Sequence, residues 1–425
     1  MNPFQILAIL MTTTAIFSYV NHRFIRLPMS IGVMLVALLG SLTLVLLHKF
    51  GIYLDDSAIK VLKGVEFGKT LMQGLLSFLL FAGALQINLS QLYDQKISVI
   101  ILSTVGLLIS VFVCGLGTYL ILRGLGVDLG LAYCFLFGAL ISPTDPIAVL
   151  SILKIVKVPK SLEINIACES LFNDGVGVVA FIIISEIALE AAHISLGHIG
   201  MLFLVEAVGG AVFGLAIGAI AYYMLKSIDN YQVEVLITLA LVTGGYALAS
   251  SLHLSGPIAI VVAGLMIGNQ GRRLAMSDTT REHLDLFWEL IDEILNSFLF
   301  VLIGLQVLLL RFSHSWIIAG ILVSIVLIGS RWLSVAIPVN LMKPWKRLDR
   351  GAISILTWGG LRGGISVALA LSIPPGAERD LIVTITYIVV IVSISIQGLT
   401  VKSLIRYLYP QDDDEKTPHS ADHVR

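Results

Sequence analysis

Apolar residues in this chain come in long unbroken runs, not in alternation or in narrow stripes. Thirteen runs approach or exceed the length of about 20 residues that crosses a bilayer as a helix. They lie near 3–21, 28–48, 70–90, 97–122, 129–153, 162–189, 196–225, 232–251, 254–269, 294–310, 315–342, 351–373 and 381–407. The run at 254–269 is short, and 283–293 (HLDLFWELIDE) has the pattern to continue into the tenth helix. None shows the period-two alternation of a membrane barrel strand. The pattern predicts an all-α membrane protein of about 13 transmembrane helices. Between the second and third runs, LDDSAIKVLKGVEFGKT is polar enough to form a short interfacial helix.

Composition agrees with this reading. The chain has 425 residues, 57% hydrophobic and 13% charged, and its mean hydropathy is +0.95. Soluble domains are about 45–50% apolar and about 25% charged. So greasy a chain is not a soluble enzyme, a nucleic-acid binder or a disordered scaffold. A formal net charge of −1 gives no global field for polyanions. Cys114, Cys134 and Cys168 sit in apolar runs without paired spacing, as small core residues. The first run has neither a positive start nor a small-residue cleavage site, so it reads as a membrane span and not as a secretory signal.

Basic residues favour one set of loops. Loops after odd-numbered runs, with the C-terminal end, hold 18 of the 27 Lys and Arg; the other loops hold 7, and Arg331 and Arg362 lie inside runs. Because positive charge collects on the cytoplasmic side, the N-terminus is expected outside and the C-terminus in the cytoplasm. The tail QDDDEKTPHSADHVR has the polar composition of a short disordered segment.

Polar residues within the apolar runs carry the chemistry, since a charge at mid-membrane costs roughly 2.5–3.5 kcal/mol or more. The fifth run reads FGALISPTDPIAVL. Pro143 and Pro146 each remove a backbone donor, so the helix is expected to unwind around Thr144 and Asp145. Freed carbonyls there become candidate ligands, and the half-helices offer opposite dipole ends. The plainer alternative is a packed proline kink. The sixth run reads ACESLFNDGVGVV. At 100° per residue, Glu169 and Asn173 lie about 40° apart, as do Ser170 and Asp174. Together they predict one polar flank suited to a hard cation; an ion-paired structural cluster is the alternative. In the twelfth run, TWGGLRGGISVALAL, four glycines surround Arg362 and predict a second interruption. Breaks in the fifth and twelfth spans are at corresponding positions if spans 1–6 and 8–13 are two inverted six-helix repeats. Arg362 needs an anion, and Glu169 is its expected partner. For Arg331, pairing with an acid and a place near a cytoplasmic end both stay open. Glu186, Glu206, Glu234 and His253 read as structural or interfacial groups. Gly210, Gly214 and Gly218 read as a helix-packing stripe.

SPTDP, then ESLFNDG, then GGLRGG far downstream resemble the cation:proton antiporter superfamily, and within it the NhaP-type sodium/proton exchanger branch. The resemblance covers nearly the whole chain. It implies that Asp174 binds cation and proton. Asn173 is its neighbour in the electroneutral branch, and Glu169, Ser170 and Thr144 contribute to a Na⁺ site. Asp145 is implied to compensate half-helix dipoles, and Arg362 to partner the Glu169-type carboxylate. It further implies a homodimer, with dimerisation helices in 1–96 and 191–311, a moving core in 97–190 and 312–408, and a tail at 409–425. The expected function is electroneutral exchange of Na⁺ or Li⁺ for H⁺ in a plasma membrane, serving pH and sodium homeostasis, with no cofactor. K⁺/H⁺ exchange on the same fold is the nearest alternative. A passive channel, or an aspartyl protease using Asp145 and Asp174, belongs to other classes; the protease lacks a GxGD sequence.

Overall fold

The computed structural model describes residues 3–50, 74–156, 158–190, 196–309, 313–343 and 351–409. The expected interfacial helix (54–70) and the tail (411–425) fall outside these residues. Helix occupies all thirteen apolar runs. The spans are α1 (Pro3–Val20), α2 (Met29–Lys49), α3 (Leu76–Gln86), α4 (Leu89–Gly124), α5a (Leu131–Ile141) and α5b (Ile147–Val156), and α6 (Lys160–Glu190). There follow α7 (Gly200–Lys226), α8 (Tyr231–Ser251), α9 (Gly256–Met266), α10 (Asp278–Gln306) and α11 (His314–Met342). Last come α12a (Ala352–Trp358) and α12b (Gly364–Ser372), then α13 (Ala377–Leu408). Among the described residues, seven helices are long and apolar enough to cross a membrane by length and composition alone. The others are shorter or broken. The stretch 283–293 does continue into the tenth span, which is one helix from Asp278.

Both expected interruptions are present. The fifth span leaves the helix at Ser142 and resumes at Ile147; the twelfth leaves it at Gly359 and resumes at Gly364. The two breaks cross. Asp145 N–H donates to the Leu361 carbonyl at 2.8 Å, an isolated antiparallel bridge. The backbone groups released by proline and glycine thus partly satisfy each other, as buried peptide groups must.

Small residues let the surrounding helices approach this crossing. A Cβ on Gly106 would stand 2.9 Å from the Ser334 carbonyl, where α4 meets α11. One on Gly138 would stand 2.5 Å from the Val111 carbonyl, where α5a meets α4. Gly177 leaves space on α6 for the Pro143 ring. A large apolar cluster joins α4, α5a, α5b, α11, α12a, α12b and α13 around the crossing. A second one, with Trp288 and Phe81 at its centre, joins α3, α7, α8, α9 and α10. Between them lies a cavity of about 430 Å³.

Candidate functional site

The polar residues of α6 divide into two pairs with different surroundings. Glu169 and Asn173 face away from the cavity. Glu169 is 2% exposed and accepts two hydrogen bonds from Arg331, at 2.8 Å from Nη1 and 2.7 Å from Nη2. This two-pronged geometry is the one a guanidinium makes best with a carboxylate. Asn173 Nδ2 donates to Glu169 Oε1 at 2.8 Å and to Thr144 Oγ1 at 2.9 Å. Its Oδ1 accepts from the Thr144 N–H at 3.3 Å. Asn173 is therefore a bracket between α6 and the unwound fifth span.

Ser170 and Asp174, one residue further round, line the cavity. The Ser170 hydroxyl donates to the Thr144 carbonyl. Asp174 is 7% exposed, and its Oδ1 is buried with no hydrogen-bond partner. An oxygen left bare in this way is costly unless something other than the resting structure uses it.

The expected pairing of Arg362 with Glu169 is corrected by the structure. The guanidinium on Glu169 belongs to Arg331, reached from α11. Arg362 Nη1 instead donates to the carbonyls of Ser142 and of Pro143, the latter at 2.9 Å. Those carbonyls follow the C-terminal end of α5a, where the helix dipole is negative and peptide oxygens lack intrahelical donors. Arg331 makes the corresponding contact in the other repeat, with Nε donating to the Leu356 carbonyl near the end of α12a at 3.2 Å. Each broken helix thus has its negative end covered by an arginine. The freed carbonyls, expected as ligands, are largely occupied by Arg362 and Ser170.

Asp145 lies where the positive ends of α5b and α12b converge, its carboxylate filling the space a Cβ on Gly363 would need. The twelfth-span glycines make room here. A Cβ on Gly360 would stand 2.5 Å from Arg331 Nε, and Gly364 faces Leu299 with none to spare. Ser393 steadies this backbone, its Oγ accepting from the Arg362 N–H at 3.2 Å and donating to Gln397 Oε1 at 2.7 Å. It sits in a π-helical turn, Ser393–Gly398, a form often found at functional sites.

The cavity runs from Asp174 and Thr144 to the N-terminal ends of α4 and α6, near Asn88, Gln91 and Lys160. Four carboxylates (Asp145, Glu163, Asp174 and Asp292) and one lysine line it. Such a low-dielectric, acid-lined funnel concentrates cations. Asp292 and Asn296, from α10, were not singled out from the sequence, although an amide inside ILNSFLF is the same signal that exposed the sixth span. Among the described residues no group of three or more His, Cys, Asp or Glu has the arrangement of a metal centre. Cys114, Cys134 and Cys168 are buried free thiols, and the glycine stripe of α7 packs on the backbone of α9 at Ala259 and Ala263.

Two broken helices that cross beside a carboxylate-bearing cavity define the broken-helix class of secondary transporters. A family profile described as "Sodium/hydrogen exchanger, transmembrane" matches residues 9–407. The Na(+)/H(+) antiporter NhaP of Pseudomonas aeruginosa is 49% identical over 97% of this chain and 99% of its own length. The Na(+)/H(+) antiporter NhaH of Halobacillus dabanensis is 35% identical over 95% and 97%. The solved structure of the sodium proton antiporter MjNhaP1 from Methanocaldococcus jannaschii has the same fold, with a TM-score of 0.74 at 20% identity over 95% of this chain and 98% of that one. The chain belongs to the sodium/hydrogen exchanger family. It is a multi-pass membrane transporter and not an enzyme.

Proposed function

We propose that this chain exchanges Na⁺, or Li⁺, for H⁺ one for one, with both ions competing for Asp174. The observation that carries the reading is the state of that side chain. Beside it, Glu169, Asn173 and Thr144 are all hydrogen-bonded, whereas Asp174 Oδ1 has no partner and its residue lines the acid-lined cavity. Ser170 Oγ and the Thr144 carbonyl, two hard oxygens, stand beside it in the lining. Glu169 acts at a distance, by holding Arg331 and Asn173, and Arg331, Arg362 and Asp145 hold the crossing.

A bare Asp174 carboxylate carried through the bilayer interior would pay a large desolvation cost. Protonation or cation binding removes the charge, so only the two loaded forms cross. One carboxylate then takes one proton or one cation. Asn173 adds no second titrating group, because an amide stays neutral. The resulting cycle moves no net charge and needs an ion gradient as its driving force. The core, 97–190 with 312–408, moves against the remaining helices, which form the contact between two subunits.

On the positive-charge bias the N-terminal ends of α4 and α6 lie on the cytoplasmic side, with the N-terminus of the chain outside and its C-terminus inside. On that orientation the cavity is the inward-facing entrance, in a plasma membrane.

Reconstituted exchange tests the proposal. Proteoliposomes with a pH-sensitive dye are to show Na⁺- and Li⁺-driven proton movement, less with K⁺, and none in Asp174→Asn. Normal exchange by that variant refutes the assignment, and exchange driven equally by K⁺ refutes the selectivity. Competition also fixes the sign of the pH dependence. Where protons occupy most sites, each unit of falling pH raises the half-saturating Na⁺ concentration about tenfold, by mass action.

A further inference from the structure

We propose that Asn296 supplies a cation-coordinating oxygen from the wall opposite Asp174, and so helps set how tightly the entering ion is captured. This rests on the exchange function proposed above. Asn296 lies in α10, a helix that packs with α2, α3 and α8 on the far side of the cavity from α6. It is 4% exposed, and neither its Oδ1 nor its Nδ2 has a hydrogen-bond partner. It lines the same cavity as Asp174, Ser170 and Thr144.

An unpaired buried amide forfeits hydrogen bonds on both of its polar atoms, a cost that a structural residue would not carry. Leucine or alanine would fit the apolar segment around it, ILNSFLF, without that cost. Asp292 lies one turn earlier on the same helix and Leu299 one turn later; both also line the cavity, and Leu299 rests on Gly364 at the start of α12b. The face that bears Asn296 is therefore held against the crossing and not turned to lipid. A neutral carboxamide oxygen is a suitable ligand for a hard monovalent cation shedding water, and it adds no proton-binding group. Capture then draws oxygen from both walls, while the charge that must be neutralised stays on one.

The test measures exchange by the full-length protein in proteoliposomes and, separately, the Na⁺-dependent rise in melting temperature in detergent. Asn296→Ala is expected to raise the half-saturating Na⁺ concentration about tenfold, the effect of one lost ligand hydrogen-bond equivalent. Its maximal rate is expected to stay within about twofold of the parent, and the Na⁺-dependent stabilisation to weaken in step. Asn296→Ser, which restores a neutral oxygen, is expected to recover part of the loss. Unchanged half-saturation in Asn296→Ala overturns the proposal, including where the melting temperature falls. If the alanine variant does not fold, Asn296→Asp decides. It keeps the shape and adds charge, and a half-saturating Na⁺ concentration equal to the parent's overturns the proposal. Asp174→Asn run in parallel separates the two readings: exchange surviving in it removes the underlying function, whereas its loss beside an unaffected Asn296→Ala removes only the role of Asn296.

Discussion

Two pairs of side chains within two turns of α6 have opposite fates. Glu169 and Asn173 are tied to Arg331 and to the unwound fifth span by hydrogen bonds between 2.7 and 3.3 Å. Ser170 and Asp174 line a cavity, and Asp174 keeps an oxygen without a partner. The chemistry of the two acids is the same and their burial is similar; what differs is whether a cation is built in. A carboxylate given a permanent guanidinium is architecture. A carboxylate denied one must recruit its positive charge from outside, and the exchange proposed above rests on that.

The strongest test of the contrast is Asp174→Asn. It is expected to abolish exchange, measured as Na⁺-driven dye response, while the melting temperature in detergent stays level or rises, because no paired charge is lost. Glu169→Ala is expected to do the reverse for stability. Breaking a buried ion pair from one side costs about 3–5 kcal/mol, so its melting temperature falls well below that of Asp174→Asn. Equal melting of the two variants breaks the comparison. Asn173→Asp is expected to be smaller but also destabilising. It replaces the amide that donates to Glu169 Oε1 at 2.8 Å with a second negative oxygen. A loss of about 1–3 kcal/mol follows if both acids stay ionised, read from denaturation at high pH. Ser170→Ala is expected to be the mildest. It removes the hydroxyl bond to the Thr144 carbonyl, worth about 1 kcal/mol, and raises the half-saturating Na⁺ concentration several-fold without shifting the pH dependence of maximal rate.

The sequence made much of this legible, for identifiable reasons. Proline and glycine act locally, so the breaks at Ser142–Pro146 and Gly359–Gly363 could be read from Pro143, Pro146 and the four glycines around Arg362. The pairing of positions four residues apart follows from helix geometry, but the single cation-binding flank expected of all four residues is divided: Glu169 and Asn173 are engaged by Arg331 and Thr144, and Ser170 and Asp174 line the cavity. Which pair faces the cavity did not follow, because the two flanks are adjacent and equally polar; the rotation of α6 is set by Arg331, Thr144 and the Pro143 ring. The assignment of arginines failed for the same reason. Arg331 and Arg362 both need oxygen partners, and the choice between a carboxylate 162 residues away and carbonyls about 220 away is made by packing. Asp292 and Asn296 escaped notice because α10 starts amphipathic, and its polar positions blend into that face before it enters the membrane.

The Arg331 guanidinium has one further consequence. It grips Glu169 of α6 with two nitrogens and the α12a carbonyl of Leu356 with the third, so three spans from both inverted repeats are clasped by one planar group. In the proposed cycle such a clasp makes the core's share of the ion's berth a cartridge that travels whole: whichever face of the membrane it is loaded from, the passenger meets the same oxygens of α6 and the unwound fifth span, and a helix that slid alone would have to tear open a charged bond in oil.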